Sequence, residues 1–293
     1  MTDNRPRLNQ HLARLERLWA SLDALFADLS PADWARPHGP DWTLADVPYH
    51  LAYFDRDIIT DPIRRGPELP PEDRTAQMTL ADMNAWNVRR FAERPPDLTV
   101  EAALALMRAS RTELRAVAAG LSDADLDRRA WCPLVSARGW RTVDDLLGFC
   151  LAHAWNEFMQ ARLHAGRDVP ESPPEATHAG LDLLIRLNQV FFTPDPPAGA
   201  RFTMVWELVG EGGGVWTLSV LDGAASVDEV RAPASDLTLT LSPATFVRFF
   251  NRMADPAQLF ANGDIVANHP ARLADYAALF TPGGLDQTLR ALP

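Results

Sequence analysis

The amino-acid sequence predicts a two-domain protein, an all-α four-helix bundle followed by an α+β domain. Apolar residues recur every three or four positions up to about residue 167, which is the period of one helix face, and they alternate after residue 202, as in strands. Between these regions, a Pro-rich polar stretch is typical of a linker. With 293 residues, 47% of them hydrophobic, the chain can form two cores. We predict a bundle over 1–168, a linker over 169–177 and an α+β domain over 178–293.

The helices of the first domain are predicted from this period and from their end signals. The second helix begins at Thr43, because Asp46 completes a capping-box start, and Pro48 predicts a local distortion, since it lacks an N–H and crowds the preceding turn. The last helix begins in the same way at Thr142 and ends near Gly166, which suits a left-handed C-terminal cap. Such a bundle builds metal sites from side chains on facing helices. The predicted helices cover 8–29, 43 onwards, 79–94, 99–120 and 142–166, with a charged, Pro-rich loop at 64–75.

The second domain is predicted as strands packed with helices. Residues 202–209 and 215–221 have the strand pattern, and the Gly-rich turn between them indicates a hairpin. One helix precedes the strands and others follow, so we expect a β-meander with helices on one face. The remaining strands are predicted at 225–230, 237–241 and 265–267, and the helices at 178–192, 245–252, 256–261 and 270–280.

Charge and composition exclude several classes of function. The formal net charge is −11 and all 28 basic residues are Arg, without a basic cluster, so we expect neither nucleic acid nor an anionic membrane surface as a partner. No apolar run approaches the roughly 20 residues of a transmembrane helix, and the polar N-terminal start lacks the apolar region of a signal peptide. We therefore expect a cytoplasmic protein in which Cys132 and Cys150 are both reduced.

A polar stripe on the last helix of the bundle is the most informative pattern. Its members are spaced three and four residues apart, so they share one helix face. His153 and Glu157 lie one turn apart and can bind the same ion, and apolar neighbours indicate that the stripe faces inward or lines a cleft. His50, near the start of another helix, is the candidate third ligand if the two helices pack face to face. The stripe consists of Cys150, His153, Glu157, Gln160 and His164.

Two imidazoles and one carboxylate are the protein ligands of a catalytic rather than a structural zinc site, since water or substrate takes the remaining position. Other first-row divalent metals accept the same set. Alternatively, a His–Glu pair one turn apart forms a surface hydrogen bond or ion pair, or a buried polar network without metal. Cys150 is a candidate fourth ligand or nucleophile, or a small buried residue, as most free cysteines are. Gln160 is a candidate accessory residue.

Five segments resemble known families. WTLADVPYH at 42–50, NAWNVRRFAER at 84–94 and HAWNEFMQ at 153–160 are similar to the DinB-like metal-binding bundles, above all to the mycothiol-dependent maleylpyruvate isomerase family. DLTLTLS at 236–242 and AQLFANGDIV at 257–266 resemble a sterol-carrier-protein-like domain, which often follows the bundle in that family. The resemblance covers nearly the whole chain.

The resemblance implies an activity as well as a fold. It implies that His50, His153 and Glu157 bind a divalent metal, for which zinc is the first candidate. It also implies that a low-molecular-weight thiol, such as mycothiol or bacillithiol, is the cosubstrate. A metal-bound thiol is readily deprotonated, so the resemblance implies a thiol-dependent isomerase or transferase acting on a small electrophilic substrate. Asn87 and Arg90 are candidates to orient an acidic substrate, or they lie on a solvated helix face.

Two other hypotheses stay open at this point. In one, the second domain binds an apolar ligand and the bundle is a non-catalytic, metal-bound scaffold. Its phenylalanines would then line a tunnel, although aromatics at these spacings more often form a simple core. In the other, the bundle is a stress-induced protein with a vestigial metal site; fold analogy does not choose, because function lives in the site. The phenylalanines are Phe246, Phe249, Phe250, Phe260 and Phe280.

Overall fold

The computed structural model divides the chain into two compact units, unit 1 over 1–168 and unit 2 over 169–293. None of the described helices is long and apolar enough to cross a membrane. The described residues are 5–38, 42–66, 80–132, 140–169, 172–188, 192, 196–251 and 253–280, with backbone alone at 80–84 and 140–141.

Unit 1 is built mainly of helices, as predicted. The helices are α1 Pro6–Ala27, α2 Pro31–Trp34, α3 Val47–Phe54, α4 Asp61–Arg65, α5 Leu80–Ala92, α6 Val100–Ala119 and α7 Val143–His164. Helix α1 packs against α7, and α3 packs against α6. Helix α1 packs through its apolar face, on which Leu8, Leu15, Trp19 and Leu22 recur at helical spacing and are at most 2% exposed. Burying a large apolar side chain contributes about 1.5–3 kcal/mol. Most of the predicted loop 64–75 lies outside the described residues.

A 3₁₀ turn, Leu44–Asp46, precedes α3. Its capping box joins Thr43 to Asp46, as predicted, and the Asp46 carboxylate accepts a 2.8 Å hydrogen bond from the Thr43 N–H. Helix α3 begins after this turn, so Pro48 occupies the first turn of an α-helix, where a missing N–H costs little. The distortion that Pro48 predicted is therefore a change from 3₁₀ to α geometry.

A π-helical turn, Asp55–Thr60, connects α3 to α4. Within it, Thr60 Oγ1 donates a 2.7 Å hydrogen bond to the Asp55 carbonyl. Such turns are rare and frequently accompany functional sites. Hydrophobic periodicity did not predict this turn.

Strands β1 (Arg129–Trp131) and β2 (Trp140–Thr142) form an antiparallel pair in unit 1. This pair was not predicted, because three residues are too few to show a strand period. Strand β2 leads directly into α7, since Thr142 ends the strand and caps the helix.

Both predicted end signals of α7 are present. Thr142 Oγ1 accepts a 3.1 Å hydrogen bond from the Asp145 N–H, and the Asp145 carboxylate accepts one of 3.0 Å from the Thr142 N–H. At the other end Gly166 has a φ of 74°. This left-handed conformation, with a 2.9 Å bond from the Arg167 N–H to the Arg162 carbonyl, closes the helix as a Schellman cap.

Unit 2 contains a mixed five-stranded sheet with helices, which agrees with the α+β prediction. Its strands are β3 Phe202–Leu208, β4 Gly214–Leu221, β5 Ala224–Asp228, β6 Leu237–Leu241 and β7 Ile265–Ala267. They lie in the order β5-β4-β3-β6-β7, and β6 runs parallel to β3. The predicted meander is therefore wrong at β6, because a meander joins antiparallel neighbours by hairpins, whereas a parallel pair needs a crossover.

The helices of unit 2 differ from the prediction at their ends. The first begins earlier than position 178, inside the predicted linker, with proline in its first turn, a favourable start. Its predicted C-terminal end falls among residues 189–192, of which only 192 is described. The helices are α8 Pro174–Arg186, α9 Pro243–Phe250, α10 Pro256–Ala261 and α11 Leu273–Leu279, with a 3₁₀ turn at Pro270–Arg272.

Aromatic residues form much of the core of unit 2. Trp206 is 1% exposed and meets Phe246 edge to face, with ring centroids 5.2 Å apart. Phe249 and Phe280 are also buried, whereas Phe250 and Phe260 are half-buried. Three of the five candidate tunnel residues thus lie in the packed core.

Candidate metal centre

The three predicted metal ligands meet between α3 and α7. His50 Nε2 lies 3.1 Å from His153 Nε2, and Glu157 Oε1 lies 3.7 Å from His50 Nε2 and 3.8 Å from His153 Nε2. One ligating atom from each residue falls within 4.8 Å of the others, a grouping that no other His, Cys, Asp or Glu of the described residues joins. The three residues that the sequence pattern predicted as ligands therefore lie together in the structure.

These separations suit a tetrahedral zinc ion. Ligands about 2.0–2.2 Å from zinc in a tetrahedral arrangement lie roughly 3.3–3.6 Å from one another. The observed separations of 3.1–3.8 Å bracket that range. Two nitrogens and one carboxylate oxygen also leave one position for water or substrate. The side chains present therefore fit a divalent cation.

Burial sets the protonation states of the three ligands. Desolvation lowers the pKa of His50 and lowers that of His153 to about 3, so both imidazoles are neutral at pH 7 and retain a lone pair. Desolvation alone would raise the pKa of Glu157, but the hydrogen bond with His38 and the interactions with the neighbouring histidines outweigh it and lower the pKa to about 2. The site therefore holds a buried carboxylate beside two neutral nitrogen donors, and a cation would compensate its charge.

His38 is a neighbour of the site that sequence reasoning missed. Its Nε2 lies 3.3 Å from Glu157 Oε2, and its side chain is fully buried. The two oxygens of Glu157 thus have separate surroundings, since Oε1 faces the histidine ligands and Oε2 faces His38. Residue 38 lies in the loop after α2, where no helical period predicts a direction. The available signal was its nearness in sequence to Trp42, the first residue of the 42–50 motif.

Aromatic rings hold the imidazoles in place. Phe54 stacks on His153, with ring centroids 3.5 Å apart and planes within 6° of parallel. Trp42 meets His38 and His50 edge-on, at centroid distances of 4.8 and 5.1 Å. Ligands locked by packing need less reordering when an ion binds.

Asn87, predicted as a substrate contact, is connected to a ligand through one intermediate residue. Tyr53 Oη donates a 3.1 Å hydrogen bond to Asn87 Oδ1 and lies 2.6 Å from His50 Nδ1. Burial raises the pKa of Tyr53, so its hydroxyl stays protonated. A direct contact between Asn87 and substrate stays a prediction.

Arg90, the second predicted substrate contact, pairs with carboxylates of the chain itself. Its Nη2 lies 2.7 Å from Asp57 Oδ2, and its Nη1 lies 2.7 Å from Glu93 Oε2. The guanidinium also lies 5.9 Å from the centroid of the Trp86 ring. An acidic substrate would compete with these carboxylates, and its orientation by Arg90 stays a prediction.

The remaining stripe residues lie outside the group of three. Cys150 Sγ is 3.6 Å from Asp55 Oδ1, and burial raises the pKa of this thiol, which disfavours the thiolate that a ligand or nucleophile requires. Gln160 is half-buried on α7. The His164 ring packs against the ring of His38, with centroids 4.7 Å apart, and desolvation lowers its pKa to about 4.

A His–His–Glu group between two helices of a bundle is the arrangement of a class of helical proteins. Residues 14–161 match the sequence model of the DinB superfamily, which covers half of the chain. The protein belongs to the DinB superfamily. Residues 198–268 match the SCP-2 sterol transfer family. Both family resemblances found in the sequence are confirmed.

Solved structures also resemble this chain. The mycothiol-dependent maleylpyruvate isomerase is similar over 85% of this chain and 91% of its own, with 14% identity and a TM-score of 0.48, and a mutant of that enzyme gives the same values. A stereoselective inverting sec-alkylsulfatase from a Pseudomonas species is similar over 68% of this chain and 43% of its own, with 14% identity and a TM-score of 0.29. No curated protein matches the chain.

Proposed function

We propose that the protein is a divalent-metal-dependent enzyme that activates a low-molecular-weight thiol, such as mycothiol or bacillithiol, for isomerisation or S-transfer on a small electrophilic substrate. The observation that carries this proposal is the approach of His50, His153 and Glu157 to within 4.8 Å, with His50 and Glu157 buried and His153 half-buried. The similarity of 42–50, 84–94 and 153–160 to the maleylpyruvate isomerase family supports the reaction class.

Each residue of the site has a distinct role in this proposal. His50, His153 and Glu157 would hold the cation, for which zinc is the first candidate. His38 keeps Glu157 Oε2 occupied, so Oε1 stays turned towards the imidazoles. Phe54 keeps the ring plane of His153 fixed. When bound, the cation supplies Lewis acidity that favours the thiolate form of a coordinated thiol near neutral pH.

An external thiol is the nucleophile in this proposal because the stripe offers a poor one of its own. Cys150 is fully buried, it faces Asp55, and its pKa is raised. A thiol with a raised pKa has little thiolate at pH 7. The cosubstrate would therefore bring the reactive sulfur.

Metal content of purified variants tests the site. We expect about one divalent metal per wild-type chain, most of it zinc, and nearly none in His153→Ala, because two ligands hold an open site weakly. The bundle should stay folded, since its apolar helix faces pack independently of the ion. His178→Ala is the matched control, because His178 lies in unit 2 and pairs with Glu229 at 3.0 Å. Equal metal content in wild type and His153→Ala, by elemental analysis, refutes the site.

A steady-state assay tests the chemistry. Maleylpyruvate and other small electrophiles are offered with mycothiol, bacillithiol, glutathione or no thiol. We expect turnover that requires a thiol and is lost in His50→Ala. Turnover that continues without thiol but disappears in Cys150→Ser would assign the nucleophile to the protein, and turnover that survives in His50→Ala would separate the reaction from the ion.

The match to the SCP-2 sterol transfer family favours a second candidate function, the binding of an apolar ligand by unit 2. Trp206 lies in the core of that unit beside Phe246, so a ligand entering the core would change tryptophan emission. Titration of wild type and Trp206→Phe with a sterol and with a fatty acyl chain tests this function. Identical emission responses in the two proteins, with no lipid retained in native mass spectra, would contradict it.

A further inference from the structure

The imidazole of His50 has a polar neighbour at each ring nitrogen. Its Nε2 faces His153 and Glu157, whereas its Nδ1 lies 2.6 Å from Tyr53 Oη, which lies 3.1 Å from Asn87 Oδ1. His50 and Tyr53 stand one turn apart on α3, and Asn87 stands on α5. A chain of two hydrogen bonds therefore connects α3 to α5. His50 and Tyr53 are at most 5% exposed.

The single proton of the Tyr53 hydroxyl sets the direction of this chain. Tyr53 donates that proton to Asn87 Oδ1, and a phenol has no second proton to donate. Towards His50 the hydroxyl oxygen is therefore an acceptor, so His50 Nδ1 carries a hydrogen. A neutral imidazole with its hydrogen on Nδ1 has its lone pair on Nε2, the nitrogen that faces the candidate ion position.

We propose that Tyr53 and Asn87 are positioning residues that fix His50 in the Nδ1–H tautomer and so present the Nε2 lone pair to the ion. The tautomer belongs to the metal-free chain, and its consequence for the ion rests on the function proposed above. A histidine ligand binds metal better when its other nitrogen donates to a fixed partner, and loss of that partner lowers metal affinity about 10–100-fold.

His153 provides an internal contrast. Its Nδ1 is buried and has no hydrogen-bond partner among the described residues, and its Nε2 lies 3.1 Å from His50 Nε2. Because the lone pair of His50 is on Nε2, the hydrogen between the two rings belongs to His153 Nε2. The two histidines therefore hold opposite tautomers before metal binds, and His50 is the one already prepared for the ion.

Nitrogen NMR of the metal-free full chain, labelled at histidine, tests the proposal directly. We expect Nδ1–H at His50 and Nε2–H at His153 in wild type. In Tyr53→Phe, His50 should lose its fixed tautomer, and zinc affinity measured by chelator competition should fall about 10–100-fold. Tyr49→Phe is the matched control, because it removes a hydroxyl from the same helix that donates to the Arg90 carbonyl at 3.2 Å; it should change neither measurement.

Variants at position 87 test the direction of the chain. In Asn87→Leu the Tyr53 hydroxyl loses its acceptor and turns its proton towards His50 Nδ1, so the imidazole hydrogen should move to Nε2 and zinc affinity should fall. Asn87→Asp keeps an acceptor at the same place and should restore both the Nδ1–H tautomer and the affinity. A role of Asn87 confined to helix packing would not give this rescue.

The possible outcomes distinguish a failure of the tautomer proposal from a failure of the proposed function. An Nε2–H tautomer at His50 in wild type overturns the tautomer proposal. That tautomer would result if Asn87 donated an amide hydrogen to the Tyr53 hydroxyl. An unchanged tautomer in Tyr53→Phe also overturns the proposal. A fixed Nδ1–H tautomer in a wild-type protein that binds neither zinc nor another first-row divalent metal supports the tautomer proposal and refutes the proposed function.

Discussion

The two units bury different kinds of polar side chain. Among the described residues of unit 1, the buried polar groups include three carboxylates, two histidines and one arginine. In unit 2 they are two threonines and one asparagine, none of them charged. The Asn188 amide has two hydrogen-bond partners, since it donates to the Ile185 carbonyl at 2.7 Å and accepts from the Tyr276 hydroxyl at 2.5 Å. These three side chains follow the usual solution, in which a buried polar group is neutral and has a hydrogen-bond partner.

Unit 1 departs from that solution at a cost in stability. A buried ionisable group destabilises the folded state unless a charge or a metal compensates it. Desolvation lowers the pKa of His50 and of His153, and it raises the pKa of Asp55, which shares the interior with Arg111 on α6 and the Cys150 thiol on α7. The difference between the units directs the search for function to unit 1, where the fold retains unfavourable groups that a simple scaffold would not need.

The largest expected effect tests whether the units are separate. Trp206→Ala removes a buried side chain from the core of unit 2 and should lower the free energy of unfolding of that unit by about 3–5 kcal/mol. The transition of unit 1 and its metal content should stay unchanged, because the two units are compact on their own. Guanidinium denaturation followed by circular dichroism and tryptophan emission measures both transitions.

Val209→Ala is the control for this substitution. Val209 is 59% exposed, and a surface change of this kind shifts stability by no more than about 0.5 kcal/mol. A single transition that moves as a whole in Trp206→Ala would show that the two units unfold together, and the predicted boundaries at 168 and 178 would then not mark independent domains.

A smaller effect is expected from the buried charge of unit 1. Burial raises the pKa of Asp55 from 3.8 to about 6, and the Arg111 charge and the Cys150 S–H bond oppose this shift only in part. Arg111 is itself paired with Asp23 on α1 at 3.1 Å. The folded state binds the Asp55 proton more tightly than the unfolded state, so this group makes unit 1 less stable as the pH rises from about 4 to about 6.

Asp55→Asn should remove this pH dependence. At pH 7 the variant should be more stable than wild type by up to about 3 kcal/mol, and below pH 4 the difference should vanish. Denaturation of both proteins at several pH values measures it, and Asp228→Asn, an exposed position in unit 2, serves as control. A variant that is less stable than wild type at pH 7 would mean that the Asp55 charge supports Arg111 more than it costs.

The smallest expected effect concerns the start of α7. Thr142→Ala removes the side-chain oxygen that accepts from the Asp145 N–H, and loss of such a cap costs about 1 kcal/mol. Metal content should not change, because His153 lies three turns further along the helix. Thr142→Ser keeps the hydroxyl and should retain wild-type stability. A loss of metal in Thr142→Ala at full helicity would show that the helix start and the ion site are coupled.

The site residues on regular helices could be predicted from the sequence, because the helical period fixes the direction of each side chain. The steps of three and four on α7 placed His153 and Glu157 on one face, and the capping box at Thr43 placed His50 near a helix start. Sequence reasoning missed His38, because a loop residue has no periodic direction. The link between Tyr53 and Asn87 depends on where α5 packs, which its own sequence does not reveal. The parallel pairing of β6 with β3 likewise depends on strand order rather than on a local pattern.

The π-helical turn after α3 changes which later residues of this continuous helical segment share a face with His50. Each residue of an α-helix advances by about 100°, so an uninterrupted helix would turn Ile59 and Ile63 almost opposite to His50. The wider turn delays the rotation by about one residue, or about 100°, and so brings Ile59 to about 80° from His50. All three side chains are buried. In an alignment, a relative with a regular helix would need a one-residue gap between His50 and Ile63. The ligand would keep its place across that gap while the later turns changed register.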